Sequence, residues 1–484
     1  MAIDLGTTNI KIAIYNERMK QISSVSETVE YFKEGDIVEF DAEAYFYIVK
    51  TLMEKCCRLG FGETAGDIAQ IVLTGQAESL VMLGENGKPL RNGISWMDMR
   101  SRSECAELAG EFGVKCYNIT GEPEIIPTWP ITKILWMRKS EPEVFRKVSK
   151  YIVIKDYIYY RLTGILTGEY SVYSLTHYFD ICRKSYWDTI LDYCGVQKTQ
   201  LPNLVEPCTC CGRLDRDISA DLNLLTAPKV NIGTMDHFAG MIGTGNIKPG
   251  VISIGIGTVV SIATMLSGPK FSGCKIPLLY GPLKDSYVYL PICESGGISL
   301  EWYRNCFIRD KSFEEIDQEI MKKEPDDNLI FLPYLMGVTP PEFDPNVSGV
   351  FYGLRESHDR YDCAKAVMEG VALILKKNID YISDVISPEV IILTGGGSKS
   401  RLWAKMIADS TGLKIKVPEI SDAPTAGAAM IGFISEGVYP DYDAAISACV
   451  NFKDTISPGK DFERLQNKYK LFEKVYGCLR PLFT

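Results

Sequence analysis

The stretch that decides the fold opens the chain: Ala2-Ile3-Asp4-Leu5-Gly6-Thr7-Thr8-Asn9-Ile10-Lys11-Ile12-Ala13-Ile14-Tyr15. Apolar residues on both sides of Gly6-Thr7-Thr8-Asn9 read as the two strands of a β-hairpin with turn-forming residues between them. A tight turn with glycine exposes successive backbone N–H groups, and the Thr7 and Thr8 hydroxyls add donors that reach phosphate oxygens. Asp4, at the strand end beside the turn, is placed to hold Mg²⁺, directly or through water. Lys11 lends positive charge nearby. The same residues also suit a plain hairpin with an exposed aspartate, and the pentapeptide 4–8 alone does not separate the two readings.

A second unit of this kind begins near residue 245. Residues 251–258 and 259–265 read as another strand pair about a Gly257-Thr258 turn, preceded by Gly255. Each unit is followed by an apolar strand ending in Leu-Thr-Gly, namely Leu73-Thr74-Gly75 and Leu393-Thr394-Gly395. The repetition points to an internal duplication, and strands alternating with helices in both halves point to an α/β architecture. Residues 42–59 carry helical periodicity, with Tyr45, Ile48, Val49 and Leu52 on one face. Residues 142–162 read the same way. The glycines at 395–397, at the start of a helix bearing Leu402, Trp403, Met406 and Ile407, let backbone lie flat against a purine, although such turns also occur without ligands.

Gly233-Thr234-Met235-Asp236 leads from a strand at 230–232 into a small-residue helix at 237–243. Asp236 there has two readings. It accepts a proton from a hydroxyl that attacks a phosphate, a role worth roughly 10²–10⁴-fold in rate. Alternatively it is a helix N-cap, worth about 1 kcal/mol without any catalysis.

The chain has 484 residues, enough for two domains of comparable size. A net charge of −10 argues against nucleic acid as the main partner. No long apolar stretch resembles a leader or a membrane helix, so the expectation is a cytoplasmic chain without a membrane partner. Fifteen scattered cysteines and only three histidines read as reduced thiols, and Cys208, Cys210 and Cys211 lack a second ligand pair at zinc spacing.

Several motifs, taken in order, resemble the FGGY family of carbohydrate kinases. Asp4-Leu5-Gly6-Thr7-Thr8 is similar to its first phosphate loop and Trp96-Met97-Asp98-Met99-Arg100 to its substrate-side W-x-D-x-R segment. Residues 130–136, with Lys133-Ile134-Leu135-Trp136, resemble its first signature. Gly233-Thr234-Met235-Asp236 matches the segment bearing its catalytic aspartate. Residues 349–354 and 366–370 resemble its second signature, residues 395–400 its adenine loop, and residues 426–429 the small-residue helix that follows.

The resemblance implies two ribonuclease-H-like domains of the actin/hexokinase type, over 1–244 and 245–484, flanking a cleft. The first takes the sugar and the second the nucleotide. It implies transfer of the ATP γ-phosphoryl group to a hydroxyl, with Asp236 as base and Asp4 at the Mg²⁺. Thr7, Thr8, Lys11, Thr258, Gly297, Gly396, Gly397 and Ser400 become nucleotide candidates. Gln76, Glu78, Trp96, Asp98 and His237, with Asp236 itself, become substrate candidates.

Substrate identity is harder to read. At 77–78, where glycerol kinases carry Arg-Glu and xylulokinases Met-His, this chain has Ala77-Glu78. Xylulokinase-like members show Glu-Arg where it has Val338-Thr339. Glu78 suits acceptance from two adjacent hydroxyls or a place on the surface; Trp96 suits a stacking wall or ordinary core. A ketopentose such as xylulose is the leading expectation, with glycerol, a tetritol or gluconate as alternatives.

Three other classes fit two-domain chains of this type: an ATP-driven chaperone or filament protein, a sugar-responsive regulator, and a sensor without phosphotransfer. The first expects a peptide-binding extension and the second a helix-turn-helix. The third is at odds with Asp4, Thr7 and Asp236. Monomer and homodimer both stay open.

Overall fold

The computed structural model describes residues 1–484 except Glu63, Glu294, 339–341, Ser421 and Thr484. The opening residues form the expected hairpin, β1 (Ala2–Leu5) and β2 (Asn9–Tyr15), and β3 (Gln21–Thr28) continues the meander. Helix α1 (Ala42–Phe61) starts at Asp41, whose carboxylate accepts from the N–H groups of Glu43 and Ala44. A cap of that kind is worth about 1 kcal/mol. Tyr45, Val49, Leu52 and Cys56 recur at helical spacing and are buried, which seats the helix on β2 and β3.

Three further strands complete the first sheet: β4 (Gln70–Gly75), β5 (Cys210–Arg213) and β6 (Lys229–Met235). The order is β5-β6-β4-β1-β2-β3, with β1, β4 and β6 parallel. Helix α2 (Asp236–Thr244) leaves the end of β6.

The second sheet repeats the plan. Strands β7 (Val251–Ile256) and β8 (Val260–Leu266) form the hairpin, extended by β9 (Leu278–Tyr280) and β10 (Tyr287–Tyr289). After the long helix α3 (Arg360–Ser383) come β11 (Val390–Gly395), helix α4 (Arg401–Thr411), β12 (Lys414–Pro418), helix α5 (Ala423–Ser435) and β13 (Phe452–Ile456). The order is β9-β10-β8-β7-β11-β12-β13, with β7, β11 and β12 parallel. The duplication expected from short sequence pieces is therefore present in the sheet topology.

The halves meet through α2 and α5. A Cβ on Gly243 would lie 2.1 Å from the Ala423 carbonyl oxygen, and one on Gly427 1.8 Å from that of Ala239. Small residues are required there because backbone touches backbone. Helix α5 also packs under β1 and β4 of the first sheet. The Tyr15 and Thr425 hydroxyls are hydrogen-bonded at 2.9 Å, and Gln70 Nε2 donates to Ser435 Oγ at 3.0 Å.

One expectation is corrected. The span 142–162 is not helical throughout: a strand, Lys150–Val153, separates a short helix from the helix Ile154–Thr163. The apolar run 151–153 is buried on both sides in a separate, five-stranded sheet, and tertiary packing overrides its helical spacing. The aromatic side chains of Tyr151, Tyr157, Tyr159, Tyr173 and Tyr178 are all fully buried, so internal packing accounts for them. No helix among the described residues is long and apolar enough to cross a membrane.

Candidate active site

Three neighbouring parallel strands end together, and the site begins there. In the sheet register Asp4 pairs with Thr74 and Leu5 with Gly75, while Thr234 pairs with Thr74 and Met235 with Gly75. The residues that follow, Gly6-Thr7-Thr8 after β1, Gln76-Ala77-Glu78 after β4 and Asp236-His237 after β6, consequently emerge at one edge.

Strand β6 reaches that edge through a bulge. Its register slips between Asn231 and Thr234, and Gly233 takes φ = +65°. A Cβ there would lie 1.6 Å from the Leu73 carbonyl oxygen, so only glycine fits. The helix that follows begins at Asp236 itself and has no side-chain cap. The Asp236 carboxylate instead accepts from the backbone N–H of His237 at 2.6 Å and stands 3.1 Å from His237 Nδ1. The N-cap reading is thus not the one the structure adopts: Asp236 is the first helical residue, and its carboxylate takes the N–H of the adjacent His237 rather than making a capping bond.

Asp236 and His237 keep open faces, with side chains 29% and 44% exposed. Burial by itself would raise the Asp236 pKa, but the hydrogen bonds and charge of His237 hold it below the usual carboxylate range. Burial opposes protonation of His237, and Asp236 and Glu78 outweigh it and raise that pKa. Asp236 is therefore held in its ionised form.

Asp4 is the opposite case. Its pKa is raised well above the usual value, first by burial and then by the charges of Asp236 and Asp422, with Lys11 relieving it in part. Its Oδ1 is buried without a hydrogen-bond partner. Lys11 is ion-paired with Asp422 at 2.6 Å, at the start of α5, and so ties the first hairpin to the second half.

Around this edge lie the remaining candidates. Trp96 Nε1 donates to Thr7 Oγ1 at 2.8 Å, which ties the Trp96 loop to the first turn, and Trp96 is half-buried. Gln76 is buried: Nε2 reaches the Gly6 carbonyl and the Tyr31 hydroxyl, both at 3.4 Å, and Oε1 accepts from Ser79 at 2.7 Å. Glu78, at φ = +60°, is pushed up to about 8, chiefly by burial and further by Asp236, with Lys133 and His237 opposing. Lys133 is fully buried, donates to the Thr128 carbonyl at 2.7 Å and is pushed down to about 7 by burial.

Asp98 is placed differently from the expectation. It is fully buried, and its carboxylate is taken up by the Val38 N–H at 2.6 Å and by the backbone, Nε and Nη2 donors of Arg100. With its acceptor positions filled it braces the Trp96 loop and offers nothing to a sugar hydroxyl.

In the second half, Thr258 sits exposed at the β7–β8 turn, and Gly396 and Gly397 follow β11 across from Ile256. Gly297 donates its N–H to the Gly257 carbonyl at 2.8 Å, which fastens a helix start to that turn. Ser400 caps α4 by accepting from Trp403 N–H at 2.9 Å. Thr8 is exposed at the first turn. The two turns belong to different sheets, and the specificity position at Thr339 lies outside the described residues.

Sequence reading missed Glu122 and Asp422. Glu122 is buried just after the Gly121 helix end and is pushed up to about 8 by burial and by Glu78. No local pattern marks it. Asp422 opens a small-residue helix as Asp236 does, and that parallel was available in the sequence.

Comparison with known proteins identifies the frame. The N-terminal domain of the FGGY family of carbohydrate kinases matches residues 1–243 and the C-terminal domain residues 250–436. The chain belongs to the FGGY family of carbohydrate kinases. Its fold is the family's pair of actin/hexokinase-type domains, and its phosphate donor is ATP. It is 27% identical to the xylulose kinase of Bacillus subtilis (strain 168), over all of this chain and 98% of that one. Ligand-bound xylulose kinase from Lactobacillus acidophilus superposes with a TM-score of 0.93 at 25% identity, covering 100% and 99% of the two chains. Gluconate kinase from the same organism gives 0.92 at 26%, covering 99% and 98%. This FGGY kinase acts on a small sugar or polyol.

Proposed function

We propose that this kinase transfers the ATP γ-phosphoryl group to a hydroxyl of a ketopentose, with xylulose the first candidate, and that Asp236 removes the hydroxyl proton. The observation that carries the reading is the convergence of an ionised Asp236 with Asp4, Glu78 and the Thr7–Trp96 pair at one sheet edge. The residues before and after Gly245, which ends α2 at φ = +88°, divide the chain into a sugar-side domain, 1–244, and a nucleotide-side domain, 245–484. The reaction consumes cytoplasmic ATP, and we place the protein there.

Mg²⁺ fits the residues present. An orphaned buried carboxylate oxygen on Asp4, in a locally acidic setting, suits a divalent cation held through carboxylate, water and phosphates. When bound, the ion offsets charge on the phosphates. Thr7, Thr8 and Thr258 supply hydroxyls to the phosphates, Lys11 adds charge, and Gly396 and Gly397 face the purine with Ser400 and Gly297 behind.

Gluconate is the second reading, prompted by the gluconate kinase likeness. The surroundings of Glu78 and Glu122 weigh against it: burial that pushes both carboxyls up to about 8 also disfavours the charge of an aldonate, and a neutral ketose bears no such cost. A coupled ADP-release assay over xylulose, other ketoses, gluconate, glycerol and tetritols tests this. Turnover highest with a ketopentose is expected; turnover highest with gluconate would overturn the substrate assignment and leave the phosphotransfer reading standing.

A further inference from the structure

We propose that the buried trio Lys155, Glu169 and Ser171 is a positioning network that aims Asp236 by fixing the backbone of the Gly233 bulge. The inference rests on Asp236 being the base, as set out above.

The bulge removes part of β6 from the ladder, so its peptide groups need other partners. Five such groups between 232 and 235 have one. Lys155 Nζ donates to the Ile232 carbonyl at 2.9 Å. Gly233 N–H donates to Asn231 Oδ1 at 2.9 Å, and its carbonyl accepts from Cys208 N–H at 2.7 Å. Thr74 Oγ1 donates to the Thr234 carbonyl at 2.9 Å, and Met235 N–H reaches Ser171 Oγ at 3.4 Å. Ser171 Oγ in turn donates to Glu169 Oε1 at 2.9 Å and sits 2.8 Å from Thr234 Oγ1, which then acts as donor. Asp236 is the next residue along.

Lys155, Asp156 and Glu169 are fully or almost fully buried, with Lys155 Nζ 3.5 Å from both carboxylates. Burial pushes Asp156 up to about 7, against the attraction of Lys155. A buried charge cluster is poor evidence for stability, since apolar replacements of similar volume often stabilise as much or more. What this cluster supplies is direction. The lysine spans from a carbonyl inside the bulge to the carboxylate of its own neighbour Asp156 and to that of Glu169 on another segment, and Glu169 is itself anchored by the N–H groups of Ser171 and Val172. A base misplaced by about 1 Å loses on the order of 100-fold in rate.

The test uses the full chain carrying Lys155→Met or Ser171→Ala, each in the wild-type and Asp236→Asn backgrounds. ADP release is measured with ATP and the best of xylulose, gluconate and glycerol. The expected result is a kcat lowered about 10- to 100-fold, KM for ATP within two-fold, and no further loss in the Asp236→Asn background. Ser171→Ala keeps the buried charges paired and decides the matter if Lys155→Met does not fold. An activity-independent readout is the imidazole titration of His237, one of only three histidines. Its pKa, held up by Asp236, should fall in both positioning variants if the carboxylate moves away.

Folded variants with wild-type kcat and an unmoved His237 titration would overturn the network, as would losses that multiply with that of Asp236→Asn. Full activity of Asp236→Asn by itself would overturn the base assignment instead, so the two failures are told apart.

Discussion

The two hairpin turns occupy equivalent places in equivalent sheets and carry opposite chemistry. In the first sheet Asp4 pairs with Thr74 and Leu5 with Gly75; in the second Gly255 pairs with Thr394 and Ile256 with Gly395. The backbone is repeated residue for residue, yet Asp4 is answered by a glycine. Beyond the paired Thr-Gly, the first sheet continues into Gln76-Ala77-Glu78 and the second into Gly396-Gly397-Ser398. One edge projects carboxylates, where we propose that a proton and a phosphoryl group are handled. The other is stripped of side chains where a flat base can lie. Topology supplies two sites for loops, and in the proposed function the side chains at the strand ends decide which does chemistry and which only binds.

The sharpest break in that comparison comes at the acidic edge. Asp236→Asn removes the proton acceptor and keeps the size of the side chain, so kcat should fall about 10²- to 10⁴-fold while ATP binding, followed by calorimetry, stays near wild type. Retained turnover would mean that the two edges do not divide the work this way. Asp4→Gly goes further and makes the first edge resemble the second. Loss of the carboxylate should lower kcat about 10²- to 10³-fold and raise the Mg²⁺ concentration needed for half-maximal rate. An unchanged Mg²⁺ titration would remove Asp4 from the metal.

At the bare edge the expected effects are smaller and fall on binding. A Cβ on Gly396 meets only the Ile256 carbonyl oxygen at 3.8 Å, whereas one on Gly397 would lie 2.7 Å from the Ile256 Cβ. Gly396→Ala therefore leaves the free protein undisturbed, and any cost belongs to the nucleotide. We expect KM for ATP to rise about ten-fold, equivalent to about 1.4 kcal/mol, with kcat and melting temperature unchanged. If KM does not move, the purine lies elsewhere.

Much of this contrast is legible in the amino-acid sequence. Strand–Gly-Thr–strand followed by Leu-Thr-Gly appears twice, because a turn and a strand end are local events written in adjacent residues. What stays hidden there is whatever depends on a distant partner. Lys11 finds Asp422 more than four hundred positions away, and nothing near either residue announces it. Asp98 lies in a motif that signals the substrate side, but only the fold reveals that Val38 and Arg100 consume its carboxylate. The strand at 150–153 is hidden for the same reason: burial in the separate five-stranded sheet, not its own periodicity, decides its conformation.

Glu122 belongs to that hidden class and yields the smallest test. Burial raises its pKa from an ordinary 4.5 to about 8, so between those values the folded protein keeps a proton that the unfolded chain has lost. Stability must fall as pH rises through that window. Lys133 runs the other way above about 7, where the unfolded chain holds a proton that the buried amine gives up, and stability rises with pH towards 10.5. Wild-type melting temperature, corrected for other groups by subtraction of the variant, should decline from pH 5 to 8, and Glu122→Gln should remove that decline by a few degrees. Parallel melting curves for the two proteins would mean that Glu122 is charged and solvated, and the argument that a charge-disfavouring surrounding turns an aldonate away from this edge would lose one of its two supports.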